Sequence, residues 1–145
     1  MLEVRRARPD EIDTCLAIRH EVFVLGQGVP APLEVDGKDP QCAHFIAYER
    51  GEAIATARLR VTDKGSAKVE RVAVRPGHQG KGVGTAIMHA IEGEAATRGF
   101  RELVLTAQVG VIPFYETLGY VAEGNVFIEA AIKHRWMKKR LGAVA

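Results

Sequence analysis

The most constraining stretch of the chain runs from residue 67 to residue 88, where a strand, a glycine-rich turn and a helix follow one another. A strand is predicted over Ala67–Val74, because valines recur among β-favouring residues and an Arg-Pro-Gly turn ends the run. A helix is predicted over Thr85–Ala96, because apolar residues recur there every four positions. Backbone N–H groups at such a helix N-terminus carry partial positive charge and little side-chain bulk. The stretch therefore predicts a binding turn for a phosphate or a pyrophosphate.

Two common nucleotide-binding patterns do not fit this turn. A Walker-type loop beginning at residue 77 would require lysine after Gly82, where the chain has Val83. A dinucleotide-binding fingerprint beginning at residue 80 would require glycine or alanine at the position of Thr85. The pattern that fits is Gln79-x-x-Gly82-x-Gly84, directly after Val72-Ala73-Val74. A tight turn into a helix that binds no ligand is the alternative interpretation.

Length, charge and cysteine content limit the class of protein. A chain of 145 residues is long enough to bury a hydrophobic core, and we expect residues 1–145 to form a single domain. The net charge of +2 argues against nucleic-acid binding, which uses a concentrated basic surface. We find no apolar run of membrane-spanning length and no signal-peptide core, so we expect a cytoplasmic protein. Cys15 and Cys42 lack metal-ligand spacing, so we expect reduced thiols and no metal.

The order of predicted elements indicates an α/β fold with a mixed, mostly antiparallel sheet and helices on both faces. Turn signals separate the strands at Arg50-Gly51 and at Glu123-Gly124-Asn125. Besides the central helix, one helix is predicted after residue 11 and a short one over Pro113–Leu118. The predicted strands are Leu2–Ala7, Ala43–Glu49, Ala53–Val61, Ala67–Val74, Glu102–Ala107, Tyr120–Ala122 and Val126–Met137.

A long irregular segment is predicted over Leu25–Gln41, which contains three prolines and three glycines. Loops of this length in a compact domain are usually functional or mobile. The segment also carries the acidic residues Glu34, Asp36 and Asp39. These carboxylates can attract a cationic substrate, and a solvated acidic surface is the alternative.

Several motifs resemble those of the GNAT superfamily of N-acetyltransferases. The Gln79–Gly84 turn resembles its acyl-coenzyme A signature, and Phe114–Tyr120 resembles its Tyr-Glu-x-x-Gly-Phe landmark. The segments Val22–His44 and Glu129–Met137 resemble a narrower subgroup of small bacterial members. In the subgroup's ending, Ala131 and Lys133 replace glycine and proline, and Gly26 replaces the glutamate before Gln27. The resemblance covers nearly the whole chain and implies the GNAT fold.

The resemblance implies that the chain uses acetyl-coenzyme A (acetyl-CoA) as a co-substrate. The backbone of the turn would hold the pyrophosphate, and the strand before it would pair with the pantetheine arm and polarise the thioester carbonyl. Gln108 stands where many relatives have asparagine, which keeps the amide group. The residues expected to bind the cofactor are Val72, Ala73, Val74, Gln79, Gly80, Lys81, Gly82, Val83, Gly84, Thr85 and Gln108.

Tyr115 and Glu70 are the first candidates for proton transfer. A phenol has a pKa of about 10 and a thiol about 8.5, so Tyr115 can protonate a departing thiolate. The alternative for Tyr115 is a packed aromatic ring. Strand alternation places Glu70 on one face with Lys68 and Val72, where it can act as the base through a water molecule. Ion pairing with an arginine of the neighbouring strand, Arg58 or Arg60, is the alternative for Glu70.

Two histidines complete the candidate set. The subgroup pattern carries a histidine at the positions of His44 and His134, which makes His44 a second candidate base and His134 a candidate substrate ligand beside Glu34 and Asp36. Hydrogen-bonded structural histidines are the alternative for both.

The leading hypothesis is an acetyl-CoA-dependent N-acetyltransferase, in which a primary amine of a small molecule or a peptide N-terminus attacks the thioester directly. An acyl-CoA binding or sensing module without turnover is the alternative, and a nucleotide-binding interaction domain is a third. The expected partner is the amine substrate, with no nucleic acid and no membrane, and a homodimer is left open.

Overall fold

The computed structural model describes residues 1–142, and it contains one seven-stranded sheet. In chain order the strands are β1 (Leu2–Arg6), β2 (Ala43–Glu49), β3 (Glu52–Val61), β4 (Ala67–Val74), β5 (Glu102–Gln108), β6 (Val121–Glu129) and β7 (Ile132–Arg140). They lie in the order β1-β2-β3-β4-β5-β7-β6. Within this sheet β4 and β5 pair in parallel and the other neighbours are antiparallel. The predicted mixed, mostly antiparallel sheet is confirmed. The predicted domain also included residues 143–145, which lie outside the described residues.

Helices cover both faces of the sheet, as predicted. In chain order they are α1 (Ile12–Arg19), α2 (Ala31–Glu34), α3 (Val83–Thr97) and α4 (Ile112–Thr117), with a π-helical turn over His20–Leu25 directly after α1. The neighbouring β2 residues Phe45 and Ile46 point to opposite sides, Phe45 into the core under α3 and Ile46 into the core under α1. The sheet therefore separates an α3 face from an α1 face.

The central helix has the apolar period that the sequence shows. Val83, Ile87, Ile91 and Ala95 are buried against the sheet, and burial of each isoleucine contributes about 1.5–3 kcal/mol. The helix begins two residues earlier than predicted, directly after Gly82, whose φ is 82°. At its other end Gly99 has a φ of 88°, and the N–H of Phe100 donates to the carbonyl of Ala95. A left-handed glycine of this kind ends a helix without a steric penalty.

The segment predicted to be an irregular loop over Leu25–Gln41 contains two short helical pieces. These are α2 and a 3-10 turn over Asp39–Gln41, and each has a proline in its first turn. Proline is tolerated there because the first helical N–H groups have no partner within the helix. The same prolines that indicated a loop in the sequence therefore begin helices in the fold.

The C-terminal hairpin turns at a different place from the one predicted. Strand β6 continues through Glu123-Gly124-Asn125, and its register with β7 shifts between Glu123 and Phe127, so this segment is a bulge. The turn lies at Ala130-Ala131, whose φ angles are 51° and 63°. Both angles are in the left-handed region, as a two-residue type I′ turn requires. Gly124 and Asn125 led to the wrong prediction because glycine and asparagine are favoured in bulges as well as in turns.

The described chain shows no helix that combines the length and apolar character needed to cross a membrane. Residues 1–142 also contain no group of three or more His, Cys, Asp or Glu side chains arranged to hold a metal ion.

Ala131→Gly is expected to raise the free energy of unfolding by about 0.5–1 kcal/mol, because a Cβ atom disfavours left-handed φ and glycine does not. Urea unfolding of wild type and variant measures this change. Ala90→Gly, inside α3, is the matched control and should lower the free energy of unfolding by about 1 kcal/mol. If both variants are destabilised equally, the turn geometry is not the cause of strain.

Candidate active site

A bulge interrupts β4 at the centre of the sheet. Arg71 has a φ of 59°, and two β4 residues, Arg71 and Val72, lie opposite the single β3 residue Ala57. The extra residue turns Val72 and Val74 toward the α3 face, whereas Ala73 packs under α1. The prediction that Val72 shares a face with Glu70 and Lys68 is therefore wrong, because alternation is interrupted at Arg71.

Strands β4 and β5 separate close to this bulge. They pair at Ala67–Leu103 and Lys68–Val104, and within the described sheet β4 has no further partner in β5. From residue 69 onward, alternate N–H and C=O groups of β4 therefore face a gap instead of a neighbouring strand. Such an edge can hydrogen-bond another extended, amide-containing chain. We call this gap the β4–β5 cleft.

The glycine-rich turn lies at the end of β4, beside the mouth of the cleft. Gly80 and Gly82 have φ angles of 73° and 82°, and open space surrounds the position of a Cβ atom at each. The side-chain amide of Gln79 donates to the carbonyl of Val74 over 3.0 Å, which ties the turn to the strand. The first N–H groups of α3 have no partner within the helix and can bind an anion. Lys81 is exposed beside them.

Gly84 packs closely against α4. A Cβ atom there would lie 3.2 Å from Cζ of Phe114, which packs from α4 onto the start of α3. This contact brings α4, and with it Tyr115, close to the glycine-rich turn. Val83 is buried in the core under α3, so only its backbone can contribute to binding.

Tyr115 lies in an aromatic cluster on the α3 face. Its ring makes edge contacts with Phe114 and Tyr120, at centroid distances of 5.0 and 5.8 Å. Burial raises the pKa of the Tyr115 phenol to about 12. The hydroxyl is therefore protonated at neutral pH and can serve as a proton donor.

Glu70 lies on the α1 face, one residue before the bulge. Its carboxylate forms ion pairs with Arg58 at 2.9 Å, Arg60 at 2.8 Å and Lys68 at 3.0 Å. Burial alone would raise its pKa, but the hydrogen bond from Arg60 and the charges of Lys68 and Arg58 lower the pKa to about 2. The arginine pairs that the sequence offered as an alternative are thus formed, and they make Glu70 a weak base.

The acidic residues between α1 and β2 are paired with buried or half-buried arginines. Glu34 accepts hydrogen bonds from Arg19 and Arg71, at 2.9 and 2.7 Å for the shortest of each. Asp36 accepts two hydrogen bonds from Arg58, at 3.0 and 2.6 Å, and this pairing lowers its pKa well below the usual range. The arginines balance the negative charge of these carboxylates within the fold, so the carboxylates provide little attraction for a cationic substrate.

Pairing of Glu70 with Arg58 or Arg60 was an alternative interpretation of the sequence, but pairing of arginines with Glu34, Asp36 and Asp39 was not predicted. Arg19 and Arg58 are 1% and 0% exposed, and both also bond Asp39, at 2.6 and 2.9 Å. Arg19 interrupts the apolar stripe of α1, and Arg58 interrupts an apolar run in β3. An arginine at a position where the pattern predicts a buried apolar residue is the signal in the sequence that indicates a buried ion pair. Arg71 gave no such signal, because its position in β4 is half-buried.

His44 contacts the charged network, by which we mean the ion-paired residues Glu34, Asp36, Asp39, Glu70, Arg19, Arg58, Arg60, Lys68 and Arg71. Its Nε2 donates to the backbone carbonyl of Asp39 over 3.0 Å, and its Nδ1 is buried with no partner among the described residues. Since a carbonyl only accepts, Nε2 carries a proton. Strand β3 separates β2 from β4, which puts His44 about 10 Å from the β4 backbone. The structure thus joins His44 to the network but keeps it away from the cleft strand.

His134 and Gln108 lie on the far side of the cleft. They are register partners on β7 and β5, and the His134 ring stacks on Phe127 at 5.9 Å. The Nδ1 of His134 donates to the carbonyl of Ile132 over 2.8 Å. Gln108 donates to the side chain of Gln27 over 2.9 Å, which links the end of β5 to residues 26–41. We call residues 26–41 the α1–β2 segment.

The ion pairs of Glu70 predict a pH-dependent stability. The ordinary pKa of 4.5 falls to about 2 on folding, so this contribution is fully present above pH 4.5 and is lost as the pH falls toward 2. It is on the order of 3 kcal/mol at neutral pH. In urea unfolding, the stability difference between wild type and Glu70→Gln should therefore be largest at neutral pH and shrink through this window.

Glu52→Gln, at an exposed position that begins β3, is the control and should differ little from wild type at any pH. A stability difference for Glu70→Gln that does not change with pH would contradict the ion-pair explanation.

Comparisons with known proteins agree with this geometry. The family model of the acetyltransferase (GNAT) family matches residues 14–120. The N-acetyltransferase YjcF of Bacillus subtilis (strain 168), itself uncharacterised, is 36% identical over 131 residues, which cover 90% of this chain and 93% of YjcF.

Solved structures share the fold. A crystal structure of a Lactobacillus plantarum protein described as an N-acetyltransferase superposes with a TM-score of 0.89 at 28% identity, covering 97% of this chain and 98% of that one. A GNAT acetyltransferase from Elizabethkingia anophelis, solved with acetyl-CoA bound, has a TM-score of 0.75 at 15% identity, covering 97% and 98%. The narrower bacterial subgroup stays a prediction. The chain belongs to the GNAT acetyltransferase family and is an acyltransferase enzyme.

Proposed function

We propose that this enzyme transfers an acetyl group from acetyl-CoA to a primary amine of a small molecule or a peptide N-terminus. The observation that supports it is the β4–β5 cleft, which opens where pairing with β5 ends after Lys68, shortly before the Arg71 bulge, and has the glycine-rich turn at its mouth. GNAT enzymes act on amines with acetyl-CoA, and the Elizabethkingia anophelis structure holds acetyl-CoA on the same fold. The cleft offers the two things such a ligand needs, unpaired strand amides and an anion-binding helix N-terminus.

The cofactor supplies a thioester as acyl donor, and the chain supplies its binding. The backbone N–H groups from Gln79 to Gly84, with Thr85 after them, would hold the pyrophosphate, and Lys81 would add charge. The edge of β4 at Val72, Ala73 and Val74 would pair with the pantetheine amides. One N–H of this edge would polarise the carbonyl. Gln108, bonded to Gln27, would hold the α1–β2 segment against the cleft.

Tyr115 is the proposed proton donor to the departing sulfur. Its raised pKa of about 12 makes transfer to an ordinary thiolate unfavourable. A thiolate formed in the same buried region would also have a raised pKa, because burial disfavours every charged group. The pKa values of the Tyr115 phenol and of the departing thiol therefore lie closer together, and the proton transfer stays possible.

Glu70 is the proposed base, through a water molecule. It lies on the cleft strand itself, whereas His44 lies two strands away. Its low pKa makes it inefficient, so it can only assist the small fraction of the amine that is already neutral. The weak base also favours the alternative, an acyl-CoA binding module without turnover. His134 is retained as a candidate substrate contact, whereas the hydrogen bonds of Glu34 and Asp36 to Arg19, Arg71 and Arg58 argue against a substrate role for these two carboxylates. A homodimer is left open.

The function is tested by thiol release from acetyl-CoA with a panel of primary amines, with acetylated product identified by mass spectrometry. Wild type should turn over at least one amine. Tyr115→Phe should lower kcat roughly a hundredfold, because it loses the proton donor but keeps the ring. Tyr120→Phe is the matched control, since Tyr120 is also buried but its hydroxyl donates to Glu92 at 2.8 Å.

Tyr120→Phe should lower stability and leave kcat nearly unchanged. A loss below about threefold in Tyr115→Phe, with chemistry rate-limiting, would return Tyr115 to a packing role. Acetyl-CoA binding without turnover of any amine would support the binding module instead.

The base is tested by the pH dependence of kcat/KM for wild type, Glu70→Gln and His44→Ala. With Glu70 acting through water, the rate should climb with pH as the substrate amine loses its proton. An imidazole base would add a limb at about pH 6 to 7. An unaltered rate in Glu70→Gln, measured where that variant is folded, would exclude Glu70.

A further inference from the structure

The Arg71 side chain joins the cleft strand to the α1–β2 segment. Its Nε donates to Oε2 of Glu34 over 2.7 Å, and its Nη2 donates to the backbone carbonyls of Glu34 and Leu33 over 3.1 and 3.3 Å. Both carbonyls lie at the end of α2, where a helix lacks internal donors. Arg71 therefore acts as a side-chain cap for a helix of only four residues.

The other end of this connection is fixed by α1. Glu34 is 3% exposed, and Arg19 donates to its carboxylate from Nε over 3.0 Å and from Nη2 over 2.9 Å. A four-residue helix has little stability of its own. The position of α2 therefore depends on its contacts with Arg19 on one side and Arg71 on the other.

Arg71 differs from the neighbouring arginines because its own backbone forms the bulge. Arg58 holds Asp36 and Asp39 from β3, and Arg60 bonds Glu70. Neither β3 arginine lies on the edge of the cleft. A left-handed φ fixes the direction in which the Arg71 side chain leaves β4. Any ligand that orders this edge of β4 therefore also orders the guanidinium that caps α2.

We propose that Arg71 is a positioning residue that couples acetyl-CoA binding in the β4–β5 cleft to the ordering of α2. Acetyl-CoA restricts the motion of the backbone at the bulge, and the Arg71 hydrogen bonds in turn restrict the motion of α2. The ordered α2 then forms one side of the amine site. Ordering shared in this way makes the second binding event cost less entropy. The coupling takes acetyl-CoA as ligand from the proposed function, but it does not depend on turnover.

Hydrogen exchange of the full chain with and without saturating acetyl-CoA tests the coupling. The reporters are the amides of Glu34 and Val35, which donate to the carbonyls of Pro30 and Ala31. In wild type, acetyl-CoA should slow their exchange at least about threefold, although they lie outside the cleft. In Arg71→Gly, which suits the left-handed φ, acetyl-CoA should still protect β4 and the start of α3 but no longer the α2 amides.

Arg60→Gln is the matched control, since it removes another guanidinium of this charged network without touching α2, and it should keep the α2 protection. Arg71→Lys should restore part of it, because lysine keeps the charge but not the planar fork. If Arg71→Gly does not fold, Glu34→Gln weakens the same connection from the other end, because it removes the carboxylate but leaves the two backbone carbonyls, and it should lose part of the α2 protection.

A second experiment measures the KM of an amine that the turnover assay has identified as a substrate. Arg71→Gly should raise the KM of the amine roughly tenfold, with the Kd of acetyl-CoA changed less than about twofold. Equal α2 protection in wild type and Arg71→Gly, or none in wild type, would overturn the proposal. Acetyl-CoA binding with α2 protection but without turnover would remove the proposed function and leave the coupling supported. A wild-type chain that does not bind acetyl-CoA would overturn both.

Discussion

The bulge at Arg71 is the constraint on which the site depends. It interrupts the alternation of β4, so that Glu70 lies on the α1 face and Val72 on the α3 face. It follows shortly after Lys68, where the pairing of β4 with β5 ends and strand amides at the centre of the sheet are left without a β5 partner. A left-handed arginine costs on the order of 1–3 kcal/mol. The hydrogen bonds from its side chain to Glu34 and Leu33 offset this cost.

A charged network fills the space between β4 and the α1–β2 segment. Four carboxylates interlock with five basic side chains, and the residues are Glu34, Asp36, Asp39, Glu70, Arg19, Arg58, Arg60, Lys68 and Arg71. Loss of one partner from a buried pair typically costs about 3–5 kcal/mol, because the other charge is left uncompensated. The network therefore holds α2 beside the cleft, and it uses the acidic residues for structure.

Local sequence patterns predicted the parts of the fold that local physics determines. The four-residue period of α3, its final Gly99 and the strand Ala67–Val74 all agree with the structure. The Ala130-Ala131 turn and the Arg71 bulge were not predictable, because neither alanine nor arginine favours a positive φ. Tertiary contacts impose these angles. Pairing of Arg19 with Glu34 likewise joins residues that only the folded chain brings together.

A crystal structure of the chain with acetyl-CoA tests the central claim most directly. We predict that the pantetheine amides hydrogen-bond to β4 between Val72 and Val74 and that the pyrophosphate contacts the N–H groups around Gly82. We also predict that the acetyl group lies between the Arg71 bulge and Tyr115. Acetyl-CoA bound elsewhere, for example in the polar cavity beside Arg5, Arg8 and Arg50, with the β4–β5 cleft empty, would contradict the claim.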